Sequence, residues 1–247
     1  MTNDEPPDFV CRGPLAVLTI VRMNPLKNGL WAGLLITLSA GASLGAEHNF
    51  AKWEKEITAY EQSDLTNPPP KHGFLFIGSS TIRRWTSLSR DFPNQPVINR
   101  GFGGSEIVDS AHFADRLIFP HEPRMIFLRA GGNDLWAGKT PEQVFADFKE
   151  FVSTVHAKLP EAEIVFISLS PSIARWAQAG KEKALNGMIE AYVKQTPKLK
   201  YIETYEMVLG ADGKPRPDLF VDDKLHFNAE GNRLMAEKVR PILPPAK

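Results

Sequence analysis

Apolar residues cluster in short unbroken runs at Phe74-Leu75-Phe76-Ile77 (closed by Gly78), Pro96-Val97-Ile98-Asn99, Met125-Ile126-Phe127-Leu128 and Ile164-Val165-Phe166-Ile167-Ser168, with a weaker one near Tyr201-Ile202. None alternates with polar residues. Runs of this kind suit strands covered on both faces, hence a parallel sheet. Between them the spacing changes to that of helices. Phe50, Trp53, Ile57 and Tyr60 recur at steps of three and four across residues 48–63, and Pro68-Pro69-Pro70 ends that segment. Residues 141–158, 175–196 and 229–240 are the other clear helical patterns. Thr140 before Pro141 and Asn228 before Ala229 are good caps. Strand and helix alternate from residue 74 onward, which predicts an α/β protein: a three-layer α/β/α sandwich around a parallel sheet of about five strands.

One hydrophobic stretch does not belong to this alternation. Leu30 to Leu44 carries no charge, follows Lys27, and gives way to the small residues Ser43, Gly45 and Ala46 before Glu47. It is shorter than the ~20 residues a spanning helix needs. The layout is that of a secretory signal peptide. The chain is therefore expected to comprise a leader at 1–22 that precedes the true start at Met23, a signal peptide at 23–46, and one domain at 47–247. Export to the periplasm or the medium follows as an expectation. The lone Cys11 falls in the leader, so no disulfide framework is available to the domain.

Charge adds an exclusion. The chain balances 29 Lys and Arg against 29 Asp and Glu, so it lacks the global positive field that non-specific nucleic-acid binding uses. The balance favours a neutral ligand over a polyanion.

In parallel α/β sheets ligands sit at the carboxyl ends of the strands. The residues that follow the apolar runs are Ser79-Ser80-Thr81, Arg100-Gly101-Phe102-Gly103-Gly104, Ala130-Gly131-Gly132-Asn133-Asp134 and Leu169-Ser170-Pro171. Asp222-Asp223-Lys224-Leu225-His226 precedes the last helix. A serine at a strand end commonly caps a helix, and a lone histidine before a helix is commonly a surface residue. Together with a carboxylate three residues away, however, the imidazole can be oriented through one nitrogen while the other takes a serine proton. Glycines 101, 103 and 104 allow a close backbone approach or a phosphate cradle, but the full G-x-G-x-x-G spacing is not met. Scattered histidines and the absence of H-E-x-x-H argue against a metalloenzyme, and no cofactor is expected.

From about residue 48 to 243 these blocks resemble the SGNH (GDSL-like) hydrolase family. Phe76-Ile77-Gly78-Ser79-Ser80-Thr81-Ile82 is similar to its first block, Asn99 to Gly104 to its second, Gly131-Gly132-Asn133-Asp134 to its third, and Asp223-Lys224-Leu225-His226 to its D-x-x-H block. Trp53, the Asn67 to Lys71 connector and Arg84-Trp85 resemble a periplasmic-type branch that includes platelet-activating-factor acetylhydrolase-like esterases. The resemblance implies a flavodoxin-like fold and ester hydrolysis. It assigns Ser80 as nucleophile, His226 as base and Asp223 as its partner, with an oxyanion hole at Ser80, Gly104 and Asn133. Ser79 stands where the family often has aspartate and is a rival nucleophile; His112, His121 and His156 are rival bases. Ile82 excludes the G-x-S-x-G elbow of other hydrolases.

The substrate expected is a short-chain carboxylic ester, including acetyl groups on carbohydrate. Lysophospholipase or thioesterase activity, and a non-catalytic ligand-binding module on the same fold, are the alternatives. Trp136, Arg175 and Trp176 are candidate pocket residues, although tryptophans more often simply pack against their own domain. Neither nucleic acid nor a stable membrane span is an expected partner, and oligomeric state is not readable from the sequence.

Overall fold

The computed structural model describes residues 48–245. The leader, the signal segment and Cys11 lie outside the described residues. After a 3-10 turn at Phe50–Trp53 the chain runs through α1 (Glu54–Thr66), β1 (Phe74–Gly78), α2 (Ser80–Arg83), α3 (Leu88–Asp91), β2 (Val97–Gly101), α4 (Ile107–His112), α5 (Ala114–Leu117) and β3 (Met125–Arg129). It continues through α6 (Gly132–Trp136), α7 (Pro141–Lys158), β4 (Glu163–Ile167), α8 (Ala179–Val193), β5 (Leu199–Ile202) and α9 (Ala229–Val239). The strands form one parallel sheet in the order β2-β1-β3-β4-β5, which is the expected architecture.

The unbroken apolar runs have a direct structural cause. Successive side chains on a strand point to opposite faces, and both faces here are covered. Leu75, Ile77, Ile126, Leu128, Ile164 and Phe166 pack with residues of α1, α4, α7 and α8. Phe74, Phe76, Phe127, Val165 and Ile167 pack with Trp85 of the α2–α3 connection, with Leu88, and with Met235, Ala236 and Val239 of α9. Phe76 and Phe127 stack with centroids 4.3 Å apart across the β1–β3 pair. Trp53 and Ile57 are buried as their stripe predicts, while the Tyr60 hydroxyl donates to the Gly101 carbonyl at 2.6 Å.

Both predicted caps form. The Thr140 hydroxyl accepts from the Gln143 N–H in a reciprocal capping box, and Asn228 Oδ1 accepts from the Glu230 and Gly231 N–H groups. The pattern over 175–196 breaks at its start, where residues 176–178 form a 3-10 turn before α8 begins at Ala179.

Strand order fixes where a ligand can sit. From β1 the chain moves to β2 on one side, then returns to β3 on the other, so the sequence direction reverses between β1 and β3. Such a switch point opens a crevice beyond the strand ends. Register makes the crevice level: Gly78 pairs with Gly101 and with Arg129. The segments after β1, β2 and β3 therefore leave the sheet side by side.

Candidate active site

Gly78 makes the turn that delivers Ser80. Its φ is +131°, and a Cβ there would stand 2.2 Å from the Arg129 carbonyl oxygen. Only glycine lets β1 lie this close to β3 while turning into α2. The Ser79 N–H then donates to the Arg129 carbonyl at 3.1 Å, and the helix starts at Ser80. Gly101 is equally constrained, because its Cβ would meet the Arg83 nitrogen at 2.2 Å. The Gly101 to Gly104 run thus serves close packing against α2 and a turn at Gly104 (φ +75°). That use accounts for the glycines without a phosphate.

His226 is held from several directions. The Val221 N–H donates to the His226 carbonyl, the Lys224 N–H to the Val221 carbonyl, and the Asn228 N–H to the Leu219 carbonyl. The Ala174 N–H donates to the Lys224 carbonyl and ties this loop to the segment after β4. Asp223 organises the turn itself. Its Oδ1 accepts from the Leu225 N–H at 3.0 Å and the His226 N–H at 2.9 Å, an Asx-type arrangement. Its Oδ2 is then free to meet His226 Nδ1 at 2.7 Å, and His226 Nε2 lies 2.8 Å from Ser80 Oγ. Desolvation works to raise the Asp223 carboxyl. Hydrogen bonds from the His226 backbone, the His226 ring and the Leu225 N–H outweigh it and hold the carboxyl well below the usual range. Arg84 Nη1 also reaches Asp223 Oδ2, at 3.1 Å, so the helix that carries Ser80 is tied to the same carboxylate.

Asn133 sits at the start of α6 beside Ser80. Its Nδ2 donates to the Ser105 carbonyl at 2.9 Å, and its Oδ1 accepts from Arg175 Nη1 at 2.9 Å. With Oδ1 engaged and one N–H spent, the side-chain amide has a fixed orientation and a second N–H to offer. Ser80, Gly104, Asn133 and His226 line one open cleft of about 600 Å³. A smaller, more enclosed recess of about 60 Å³ adjoins Ser80, lined also by Arg129, Leu169, Ser170, Ser172, Gln178, Glu182 and Phe227.

The rivals are placed elsewhere or otherwise engaged. Ser79 lines the recess, but the His226 ring bonds Ser80. His121 contacts Arg100, His156 contacts the Ala162 carbonyl, and His112 stacks on Phe50. Of the three candidate pocket residues only Arg175 lines both spaces beside Ser80. The two tryptophans are corrected. Trp136 projects outward at 59% exposure with the Arg175 guanidinium 5.0 Å from its ring. Trp176 borders a separate recess with Ile173, Pro215 and Pro217 and lines neither space beside Ser80.

Arg129 was not legible as a site residue. It ends β3, is buried, and donates to the Ser168 carbonyl, to Thr204 Oγ1 at 3.2 Å and to Ser170 Oγ at 2.7 Å. Desolvation pushes it down to about 10. A charge after an apolar run reads as a strand's exit to solvent, so nothing in the pattern marks it. Among the described residues no helix is long and apolar enough to cross a membrane.

The profile of the GDSL-like lipase/acylhydrolase family matches residues 76–234, more than half of the chain. No curated protein matches the sequence. Among solved structures, the chain is similar to a Streptococcus pneumonia protein assigned as a platelet activating factor, with 17% identity, 79% of this chain and 94% of that one covered, and a TM-score of 0.70. It is similar to a GDSL-like lipase of Bacteroides thetaiotaomicron, at 19% identity, 78% and 96% coverage and a TM-score of 0.61. A carbohydrate esterase family 3 protein of Talaromyces cellulolyticus is also similar, at 17% identity, 68% and 94% coverage and a TM-score of 0.55. At these identities the structural likeness is one of fold.

Proposed function

Because the chain belongs to the GDSL-like lipase/acylhydrolase family and is an ester-hydrolysing enzyme, we propose that it removes short acyl groups, acetyl foremost, through a serine acyl-enzyme. The observation that carries this reading is the relay itself: Ser80 Oγ, His226 Nε2 and Nδ1, and Asp223 Oδ2 joined at 2.8 and 2.7 Å.

In the proposed first step Ser80 Oγ attacks the ester carbonyl carbon while His226 Nε2 takes its proton. Asp223 holds the Nδ1–H tautomer and stabilises the imidazolium. The carbonyl oxygen becomes an oxyanion, met by the Ser80 and Gly104 N–H groups and the second N–H of Asn133. Collapse of the adduct breaks the bond to the alcohol oxygen, which receives the proton from His226. A water then gives a proton to His226 as its oxygen attacks the acyl carbon; collapse of the adduct breaks the bond to Ser80 Oγ, which takes the proton back from His226 as the carboxylic acid leaves.

Two features favour a short acyl group. The recess beside Ser80 is small, and Arg129, Gln178 and Glu182 in its wall make it a poor site for an alkyl chain. The wide cleft that also opens on Ser80 leaves the alcohol half room to be large. An acetylated carbohydrate fits that division, in keeping with the carbohydrate esterase among the structures of similar fold. In a p-nitrophenyl acetate assay, Ser80→Ala and His226→Ala should each lower kcat at least a thousandfold with the fold intact by circular dichroism. Near-normal turnover by either variant refutes the assignment.

The reading also takes the enzyme to be exported, on the charge-free stretch from Leu30 to Leu44. Protein recovered outside the cytoplasm with an N-terminus near residue 47 supports this; recovery only in the cytoplasm with an intact N-terminus contradicts it.

A further inference from the structure

The open cleft has a charge that the chain as a whole does not. Its wall carries Lys55, Arg83, Arg84 and Arg175, and among the described residues its only carboxylate is Glu56. Lys55 and Glu56 come from α1, ahead of the residues 76–234 that the family profile matches. The cations are unequally engaged. Glu56 Oε1 pairs with Arg83 Nε at 2.7 Å, Arg84 with Asp223, and Arg175 with Asn133. Lys55 has no carboxylate partner among the described residues. Even with Asp223 counted behind Arg84, positive charge remains in excess.

We infer that this cleft selects esters whose alcohol half carries an anionic group, a carboxylate or a phosphate, with Lys55 and Arg83 as its specificity-determining residues. The inference rests on the proposed reaction at Ser80. Overall neutrality suggests an uncharged substrate, but that balance averages over the chain, and the cleft is where the alcohol half would lie. Low-dielectric walls focus such a local excess onto a bound ligand. Arg83 is placed for the task, since its Nη1 approaches the position a Gly103 side chain would take, beside the Gly104 turn. Glu56 tempers it, because Oε2 also accepts from the Gly103 N–H at 3.2 Å.

Aryl acetates that differ only at the para position test this: 4-acetoxybenzoate, 4-acetoxyphenyl phosphate and the neutral 4-acetoxybenzamide. The ratio of kcat/KM for an anionic ester to that for the amide is compared between wild type and variants, which cancels intrinsic reactivity. Lys55→Glu should lower the ratio roughly tenfold, as two charge units at the cleft wall imply. Glu56→Gln should raise it, and the ratio should shrink as salt rises from about 0.02 to 0.5 M. The anionic ester whose ratio to the amide falls more in Lys55→Glu identifies which anion the site prefers. Normal turnover of the amide with a ratio insensitive to Lys55→Glu and to salt overturns the inference and leaves the serine mechanism standing. If none of the three esters turns over and Ser80 resists acylation, the proposed function fails and this inference falls with it.

Discussion

Each methylene added to the acyl half of a substrate must find room in the recess beside Ser80. That recess measures about 60 Å³. A buried cavity of ~150 Å³ accepts benzene, which sets a scale of about 25 Å³ per heavy atom. The recess therefore takes two or three heavy atoms, enough for acetyl. Butyryl brings two more carbons and asks for roughly 50 Å³ beyond that, on the same scale. Overpacking costs about 1–3 kcal/mol. Burial of two methylenes returns about 1.6 kcal/mol in an apolar site, but this wall contains Arg129, Gln178 and Glu182, so less is recovered. A net loss near 1.4 kcal/mol in the transition state is about tenfold in rate. The assay is p-nitrophenol release from the acetate, butyrate and octanoate, with the leaving group held constant and rates normalised to hydroxide hydrolysis. Acetate should exceed butyrate by about tenfold in kcat/KM, and octanoate should be slower still. Leu169→Ala removes three heavy atoms from the recess wall and should move the optimum toward butyrate. A profile that is flat or rises through octanoate refutes the assignment of the acyl group to this recess.

Asn133→Ala removes the clamped amide and should lower kcat by about 10²–10³ with little change in KM, since the donor is used only when the oxyanion forms; steady-state kinetics on p-nitrophenyl acetate read this directly. Asp134 gives a pH signature in stability. Burial is the main cause that pushes its carboxyl up, to about 6, against the attraction of Lys139 and the Ile107 N–H. The folded state therefore binds a proton that the unfolded chain releases near pH 4, so stability falls as pH rises from about 4 through 6. Asp134→Asn should abolish that slope: urea denaturation should find it more stable than wild type at pH 8, by up to about 3 kcal/mol, and not at pH 4. Parallel pH profiles for the two proteins would contradict this.

The sheet was readable because its strands are covered on both faces: Phe74 to Ile77 alternate between two cores, so no polar residue interrupts the run. Helix α7 was readable to the residue, since eighteen residues give several turns of periodicity and Thr140-Pro141 marks the start. The short helices α4, α5 and α6 were not, because segments of four to six residues carry no period to detect. At the site, the spacing of Asp223 and His226 suggested their contact, and the segments after the apolar runs were expected at the strand ends where a ligand sits. What remained hidden was tertiary. The clamp of Asn133 by Arg175 spans 42 positions, and Arg129 declares itself only once the sheet is assembled. Trp136 and Trp176 misled for the same reason, since adjacency in sequence to Asn133 and Arg175 does not set the direction of a side chain.

The central claim is that Ser80 is the residue acylated during turnover. Treatment of the full chain with a fluorophosphonate, followed by proteolysis and mass spectrometry of the peptide containing Ser79 and Ser80, tests it at the atom concerned. One adduct per chain is expected on Ser80, abolished in Ser80→Ala and retained in Ser79→Ala. An adduct on Ser79, or labelling that survives Ser80→Ala, would contradict it.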